Sequence, residues 1–188
     1  MKKLAVFASG SGSNALKIHE YFKKNNYAKI DCVLVNNPNS GVVKKAKKWN
    51  CKIIIITKNN FQNDSNISKQ LLERGIDLVI LAGFLWLIPE HLLNVFPKKI
   101  INIHPSLLPK YGGKGMYGLR VHQAVFNAKE IESGITIHVI DKEYDKGDII
   151  FQQKISIKSC KSPEEIADKI LKIEHKNFPK TIHDYLKK

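Results

Sequence analysis

The 188-residue chain is predicted to fold as a doubly wound α/β domain, a single mostly parallel sheet with helices on both faces. Three features predict this. Short apolar strand-like runs alternate with helical patterns from residue 3 to residue 103. The run at 77–81 is apolar at nearly every position, as in a parallel strand buried on both faces. A Gly/Ser turn directly follows the first run, where open sheets of this class bind ligands. At 43% hydrophobic residues the chain can bury one good core, so one domain is expected over 1–188.

The elements follow in order. Residues 3–8 form a strand, ended by Ser9-Gly10-Ser11-Gly12, and 14–24 place Leu16, Ile18, Tyr21 and Phe22 on one helical face. Residues 30–35 are a second strand, closed by the turn cluster 36–41. A lysine-rich helix at 42–49 and a β-branched strand at 52–56 come next. A helix from Asp64 to about Arg74 is capped by Gly75, before the strand at 77–81. A short helix after Pro89 leads to a strand at 99–103. Two late strands, 133–140 and 148–157, extend the sheet partly antiparallel around a polar turn holding Asp141, Asp145 and Gly147. Ser162 caps a closing helix with Pro163 in its first turn, running to Leu186 with a possible kink site at Pro179.

Composition excludes several classes. No run of about 18 apolar residues exists, so no membrane is expected as a partner. Cys32, Cys51 and Cys160 are scattered and contain no CxxC pair, which predicts neither a disulfide framework nor a zinc knuckle and fits a cytoplasmic setting. The net charge of +14 is nearly all lysine spread along the chain, with only Arg74 and Arg120 as arginine. Planar guanidinium forks are what read bases and phosphates, so nucleic acid is not expected. The surplus charge instead suits steering of a small anionic substrate.

Two segments carry chemistry. The loop Ser9-Gly10-Ser11-Gly12-Ser13-Asn14 lies between a strand and a helix. Its glycines admit close approach of an anion, which helix-start amides and the positive dipole end would hold. It lacks the Gly-Lys-Ser/Thr of a Walker loop, and Ala15 breaks the dinucleotide fingerprint, so a mononucleotide phosphate is expected. A plain tight turn, with Ser13 or Asn14 as a helix cap, would use the same residues. The second segment is Asn102-Ile103-His104-Pro105-Ser106-Leu107-Leu108-Pro109, at the end of a buried strand. The side-chain period of two sends Asn102 and His104 to one face. An amide and an imidazole side by side can both donate to a developing oxyanion, and the histidine can also move a proton. A carboxylate beside His104 would raise its pKa and favour the imidazolium form. Asp141, Glu143, Asp145 and Asp148 are all candidates, and spacing does not choose among them. No HxxxH, HExxH or clustered carboxylate set occurs, so no metal is expected.

Taken together, Ser11-Gly12-Ser13-Asn14, Leu81-Ala82-Gly83-Phe84, the Asn102–Pro109 segment, the Asp145-Lys146-Gly147-Asp148 turn and Glu174-His175 resemble the glycinamide ribonucleotide formyltransferases of the folate-dependent purine pathway, over essentially the whole chain. The resemblance implies a Rossmann-like formyltransferase fold with two small-molecule substrates, phosphoribosylglycinamide and the co-substrate 10-formyltetrahydrofolate, in a monomer or homodimer. It implies that Ser11, Gly12, Ser13 and Asn14 hold the nucleotide phosphate and that Glu174 binds its ribose hydroxyls. It implies that Asn102 and His104 bind the formyl oxygen, with His104 as general acid and Asp145 as its supporting carboxylate. Leu85, Trp86, Leu87 and Ile88 match the loop lining the folate site, to which Asn102 also belongs. The substrate amine would attack the formyl carbon directly, with no protein nucleophile.

The chain departs from that pattern in three places. Trp86 replaces a residue often polar in the family. Gln62, Asn63 and Asp64 follow Phe61 where many members carry an arginine reaching the folate, so that contact is either absent or supplied by a lysine. The stretch Tyr111-Gly112-Gly113-Lys114-Gly115-Met116-Tyr117-Gly118 is longer and richer in glycine, and is placed to act as a cover. Two rival expectations are a methionyl-tRNA formyltransferase-like enzyme, which would bring a further carboxyl-terminal domain, and a formyltetrahydrofolate deformylase-like hydrolase, which would bring an added amino-terminal one.

Overall fold

A computed structural model describes all 188 residues. Seven strands form one sheet: β1 (Lys2–Ala8), β2 (Ala28–Val35), β3 (Lys52–Ile55), β4 (Leu78–Leu81), β5 (Ile100–His104), β6 (Glu132–Val139) and β7 (Ile149–Ser156). Their spatial order is β3-β2-β1-β4-β5-β6-β7. The first five run parallel, and β6 pairs antiparallel with both β5 and β7. The doubly wound expectation and its antiparallel extension both hold.

Strand β1 shows why the sheet needs helices on both sides. Leu4, Val6 and Ala8 enter one core, while Ala5 and Phe7 enter the other. The first core is covered by α1 (Ser13–Asn25), α2 (Gly41–Lys47), α6 (Leu119–Asn127) and α7 (Pro163–Leu186). The second lies under α3 (Lys58–Asn63), α4 (Asn66–Glu73) and α5 (Glu90–Val95). Phe7 is fully buried there, its ring edge-on to Phe61 and Phe84 at 6.1 and 5.4 Å between centroids. Truncating such a ring typically costs about 3–5 kcal/mol.

Three elements differ from expectation. The helix expected from Asp64 to about Arg74 is α4, and a separate short helix, α3, precedes it where none was expected. Thr57 starts α3 by accepting from the Asn60 amide at 3.3 Å, while the Asn60 side chain accepts from the Thr57 amide at 2.8 Å. Asparagine replaces the usual Glu or Gln of that box, which hid the signal. Helix α6 has Gly118 as its N-cap and no capping side chain, so it had no start signal at all. Helix α7 runs uninterrupted through Pro179. Its start is as expected, with the Glu165 amide donating to Ser162 Oγ at 3.3 Å.

The chain leaves β1 outward to β2 and β3, then returns to β4 on the other side of β1. That reversal opens a crevice beyond the carboxyl ends of β1 and β4, where ligands bind in open α/β sheets. The Ser9–Gly12 turn, the 82–88 loop and the His104 end of β5 all surround it.

Candidate active site

A cavity of about 670 Å³ fills this crevice. It is lined by residues 10–14, 81–88, 102–105, 113–120, His122, part of the 140–145 turn and one face of α7 that includes Glu174. Every residue to which the resemblance gives a role lines it: Ser11 to Asn14, Leu85 to Ile88, Asn102, His104, Asp145 and Glu174, whereas Asp148 lies outside.

The loop after β1 is not a plain capped turn. Gly12 is the N-cap of α1 at φ +72°, with no side-chain cap, and Asn14 turns instead to Glu174, donating to Oε2 at 2.7 Å. The first-turn amides of α1 therefore remain free for an anion. Glu174 is buried on α7, and burial pushes its carboxyl up to about 7 against the opposing pull of Asn14. Ser9 Oγ, Asn14 Oδ1 and Ser40 Oγ, all buried around this loop, lack a partner.

Strand β5 presents Asn102 and His104 to the cavity, and β6 lies beside it in antiparallel register. Asn102 faces His138, and His104 faces Thr136. Thr136 Oγ1 donates to the Ser106 carbonyl at 2.7 Å and accepts from the Leu108 amide at 3.0 Å, fixing the chain just after His104. Of the four acids in the β6–β7 turn, the structure turns Asp145 inward. Its Oδ2 is 3.6 Å from His104 Nδ1 and its Oδ1 is 3.5 Å from His138 Nε2. The Gly113 amide also donates to Oδ2, at 2.9 Å. Asp141 serves the turn by accepting from the Glu143 amide at 2.9 Å.

The electrostatics correct one expectation. Asp145 was expected to raise the His104 pKa, and it does pull upward, as does the bond to the Tyr111 carbonyl. Burial outweighs both, and His138 adds to the lowering, so the His104 pKa falls below the ordinary value. His104 is thus a neutral ring in the resting site at neutral pH. Its Nε2–H donates to the Tyr111 carbonyl at 2.8 Å, since a carbonyl only accepts. Asp145 stays ionised. Burial opposes that, but the His138 hydrogen bond, His104 and the Gly113 amide together lower its pKa.

Two histidines of the site carry no sequence motif. His138 is fully buried, and its Nδ1–H donates to the Val139 carbonyl at 3.0 Å. Its Nε2 lies 3.2 Å from Asn102 Nδ2 and 3.5 Å from Asp145 Oδ1. His122 on α6 lines the cavity, is 5% exposed and has an unpartnered Nδ1. Burial first, and then His104, push its pKa down to about 4. Antiparallel pairing of 138 with 102 is a register fact, which no local spacing announces.

The loop implied to line the folate site divides in two. Leu85 and Leu87 are exposed to the cavity, whereas Ile88 is buried and Trp86 packs on Phe61 and Phe84 at 5.8 and 5.9 Å between centroids. Gln62, which follows Phe61 where many family members carry an arginine, donates to the Leu87 carbonyl at 2.9 Å and braces this loop. No three of the chain's His, Cys, Asp or Glu side chains group to hold a metal ion.

Comparison with known proteins shows the family. A formyl transferase family model matches residues 2–182. Phosphoribosylglycinamide formyltransferase of Bacillus subtilis is 35% identical over 191 residues, spanning 99% of this chain and 95% of that protein. The chloroplastic phosphoribosylglycinamide formyltransferase of Arabidopsis thaliana is 38% identical over 187 residues, but the chain spans only 64% of its length. The chain likewise spans 60% of the Vigna unguiculata chloroplastic protein. The crystal structure of phosphoribosylglycinamide formyltransferase from Bacillus halodurans superposes with a TM-score of 0.89 at 32% identity, covering 100% of this chain and 96% of that one.

Proposed function

The chain belongs to the formyl transferase family, and on that footing we propose that it transfers the formyl group of 10-formyltetrahydrofolate to the amine of phosphoribosylglycinamide, a step of purine biosynthesis. The observation that carries this reading is the meeting of two half-sites in one cavity: unspent amides of a phosphate-sized loop at 10–14, and the Asn102–His104–Asp145 group beside them.

The amine attacks the formyl carbon directly, and no cysteine lines the cavity to intervene. A carbon–nitrogen bond forms as the carbonyl becomes an oxyanion. Asn102 Nδ2 has two hydrogens. The amide nitrogen lies 3.2 Å from His138 Nε2, and a hydrogen on it is available to the formyl oxygen. His104 provides the second donor once its Nε2–H leaves the Tyr111 carbonyl, for which the formyl oxygen competes. The growing negative charge raises the His104 pKa, and Asp145 beside Nδ1 supports the protonated ring. His104, having taken up a proton from solvent as its pKa rises, passes one toward the folate nitrogen as the carbon–nitrogen bond to the carrier breaks, and the attacking amine releases its proton to solvent. Donors of this kind are each worth on the order of 10²–10³ in rate. Ser11 to Asn14 hold the phosphate, Glu174 accepts from ribose hydroxyls, and Leu85 to Ile88 receive the folate rings.

The deciding assay offers 10-formyltetrahydrofolate with phosphoribosylglycinamide, with methionyl-tRNA, or with water alone. Formylation of the nucleotide amine, with the other two at background, is the expected result. Preferred transfer to tRNA or release of formate would overturn it.

A further inference from the structure

Helix α2 packs behind the phosphate loop and contributes nothing to the cavity wall. Two of its groups nevertheless set the loop's polarity. The Val42 amide donates to the Gly10 carbonyl at 3.2 Å, and Lys45 Nζ donates to the Ser11 carbonyl at 2.7 Å. In a trans peptide the N–H points opposite to the C=O. Turning the carbonyls of residues 10 and 11 toward α2 therefore turns the amides of Ser11 and Gly12 the other way. Neither amide, nor that of Gly10, finds an acceptor in the protein. Consecutive unspent amides facing one side make an anion-binding concavity.

The fit between helix and loop is close. A Cβ on Gly12 would meet Val42 Cβ at 2.5 Å, and one on Gly41 would meet the Ser11 backbone at 3.0 Å. Lys45 is half-buried, forms this one hydrogen bond and pairs with no carboxylate. A lysine held on a carbonyl this way withdraws that oxygen's negative end from an incoming anion, and adds a fixed positive charge behind the amides.

We propose that Lys45 is a positioning residue for the phosphate of the nucleotide substrate: through the Ser11 carbonyl it holds the Ser11–Gly12 peptide with its N–H toward the cavity. This rests on the reading that loop 10–14 takes a phosphate monoester. It names a residue outside the cavity wall that sets affinity for one substrate and not the other.

The test compares Lys45→Met, Lys45→Arg and Lys44→Met, the last removing the same charge one residue earlier on an exposed position. Steady-state kinetics are run against each substrate, and binding of ribose 5-phosphate and of ribose is followed by titration calorimetry. In Lys45→Met the KM for phosphoribosylglycinamide is expected to rise about tenfold, with kcat and the folate KM within about twofold. Lys45→Arg regains most of the loss, and Lys44→Met resembles the wild type. Ribose 5-phosphate binds Lys45→Met about tenfold more weakly, and ribose binds none of the proteins measurably. A KM rise shared by the folate, a fall in kcat alone, or an equal loss in Lys44→Met would overturn the proposal. Should the wild type transfer no formyl group yet the calorimetric differences persist, the assignment of the reaction fails and Lys45 stands. Unchanged ribose 5-phosphate affinity in Lys45→Met removes Lys45 whatever the kinetics show.

Discussion

His138 stands directly across the β5–β6 ladder from Asn102, with its Nε2 3.2 Å from the Asn102 amide nitrogen. Because Nδ1–H is engaged by the Val139 carbonyl, Nε2 is the ring atom that meets Asn102. That contact holds the amide, with its nitrogen at the inner position. In the proposed reaction His138 is a positioning residue, and Asn102 is the group that touches substrate. Replacing His138 with leucine keeps the apolar bulk and frees the amide to rotate. Turnover is expected to fall about 10- to 100-fold with both KM values within about threefold. Steady-state kinetics check this, and an unchanged kcat would remove His138 from the account.

His104→Ala is expected to lower kcat at least about 10²-fold, with modest change in nucleotide affinity. Asn102→Ala falls in the same range, since losing one oxyanion donor costs about 10²–10³. The two act on one oxygen, so the double variant should lose much less than the product of the single losses. Near-wild-type turnover in His104→Ala would rule out its role.

How much of this was legible in the sequence follows from range. Short apolar runs such as β1 and the turn signals between them predict the sheet, because those forces act within a few residues. The 10–14 loop and the Asn102–His104 pair were legible because both sit at strand ends with distinctive neighbours. The β6–β7 turn showed four acids alike. Only the fold turns Asp145 inward, at φ +57°, and leaves Asp141 to close the turn. His138 and His122 were not legible as site residues, since one depends on strand register and the other on a helix without a capping side chain. The lowered His104 pKa is not legible in the sequence, because a nearby carboxylate can be read there whereas the depth of burial cannot.

Glu174 and His122 give the folded chain an unusual response to pH. Glu174 is raised to about 7 by burial, so its contribution to stability is complete below the ordinary carboxylate range and is lost as pH climbs through about 7. His122 is lowered to about 4, so its contribution is complete above about 6.5 and is lost as pH falls toward 4. The His104 shift has the same sign as that of His122. Between about pH 4.5 and 6.5 the slopes oppose, and wild-type stability should vary little. Glu174→Gln removes one side. Urea unfolding of that variant should show stability rising with pH across this window, by on the order of 2–3 kcal/mol. A wild-type curve as steep as the variant's would contradict the opposition. Glu174→Gln should also raise the nucleotide KM about tenfold with kcat retained, because it loses a charged acceptor for ribose hydroxyls.

Gly10 and Gly12 sit two residues apart in the phosphate loop, yet substitution should separate them sharply. Gly12 adopts φ +72°, a left-handed conformation that costs an L-residue about 1–2 kcal/mol. Its added Cβ would also lie 2.5 Å from Val42 Cβ and 2.6 Å from Val42 Cγ2, and Val42 is fully buried. Either α2 or the loop must move, at a typical overpacking cost of about 1–3 kcal/mol. Gly12→Ala should therefore lose about 2–4 kcal/mol of stability in urea unfolding. Because α2 is the element that turns the loop carbonyls away from the cavity, the same variant should bind ribose 5-phosphate at least about tenfold more weakly. Gly10 has no such constraint, for nothing lies within 4 Å of a Cβ built there and its φ is not left-handed. Gly10→Ala should stay within about 0.5 kcal/mol of the wild type. Equal destabilisation of the two variants would mean that the contact with Val42 does not govern the loop, and the packing of α2 against it would lose its role in shaping the anion site.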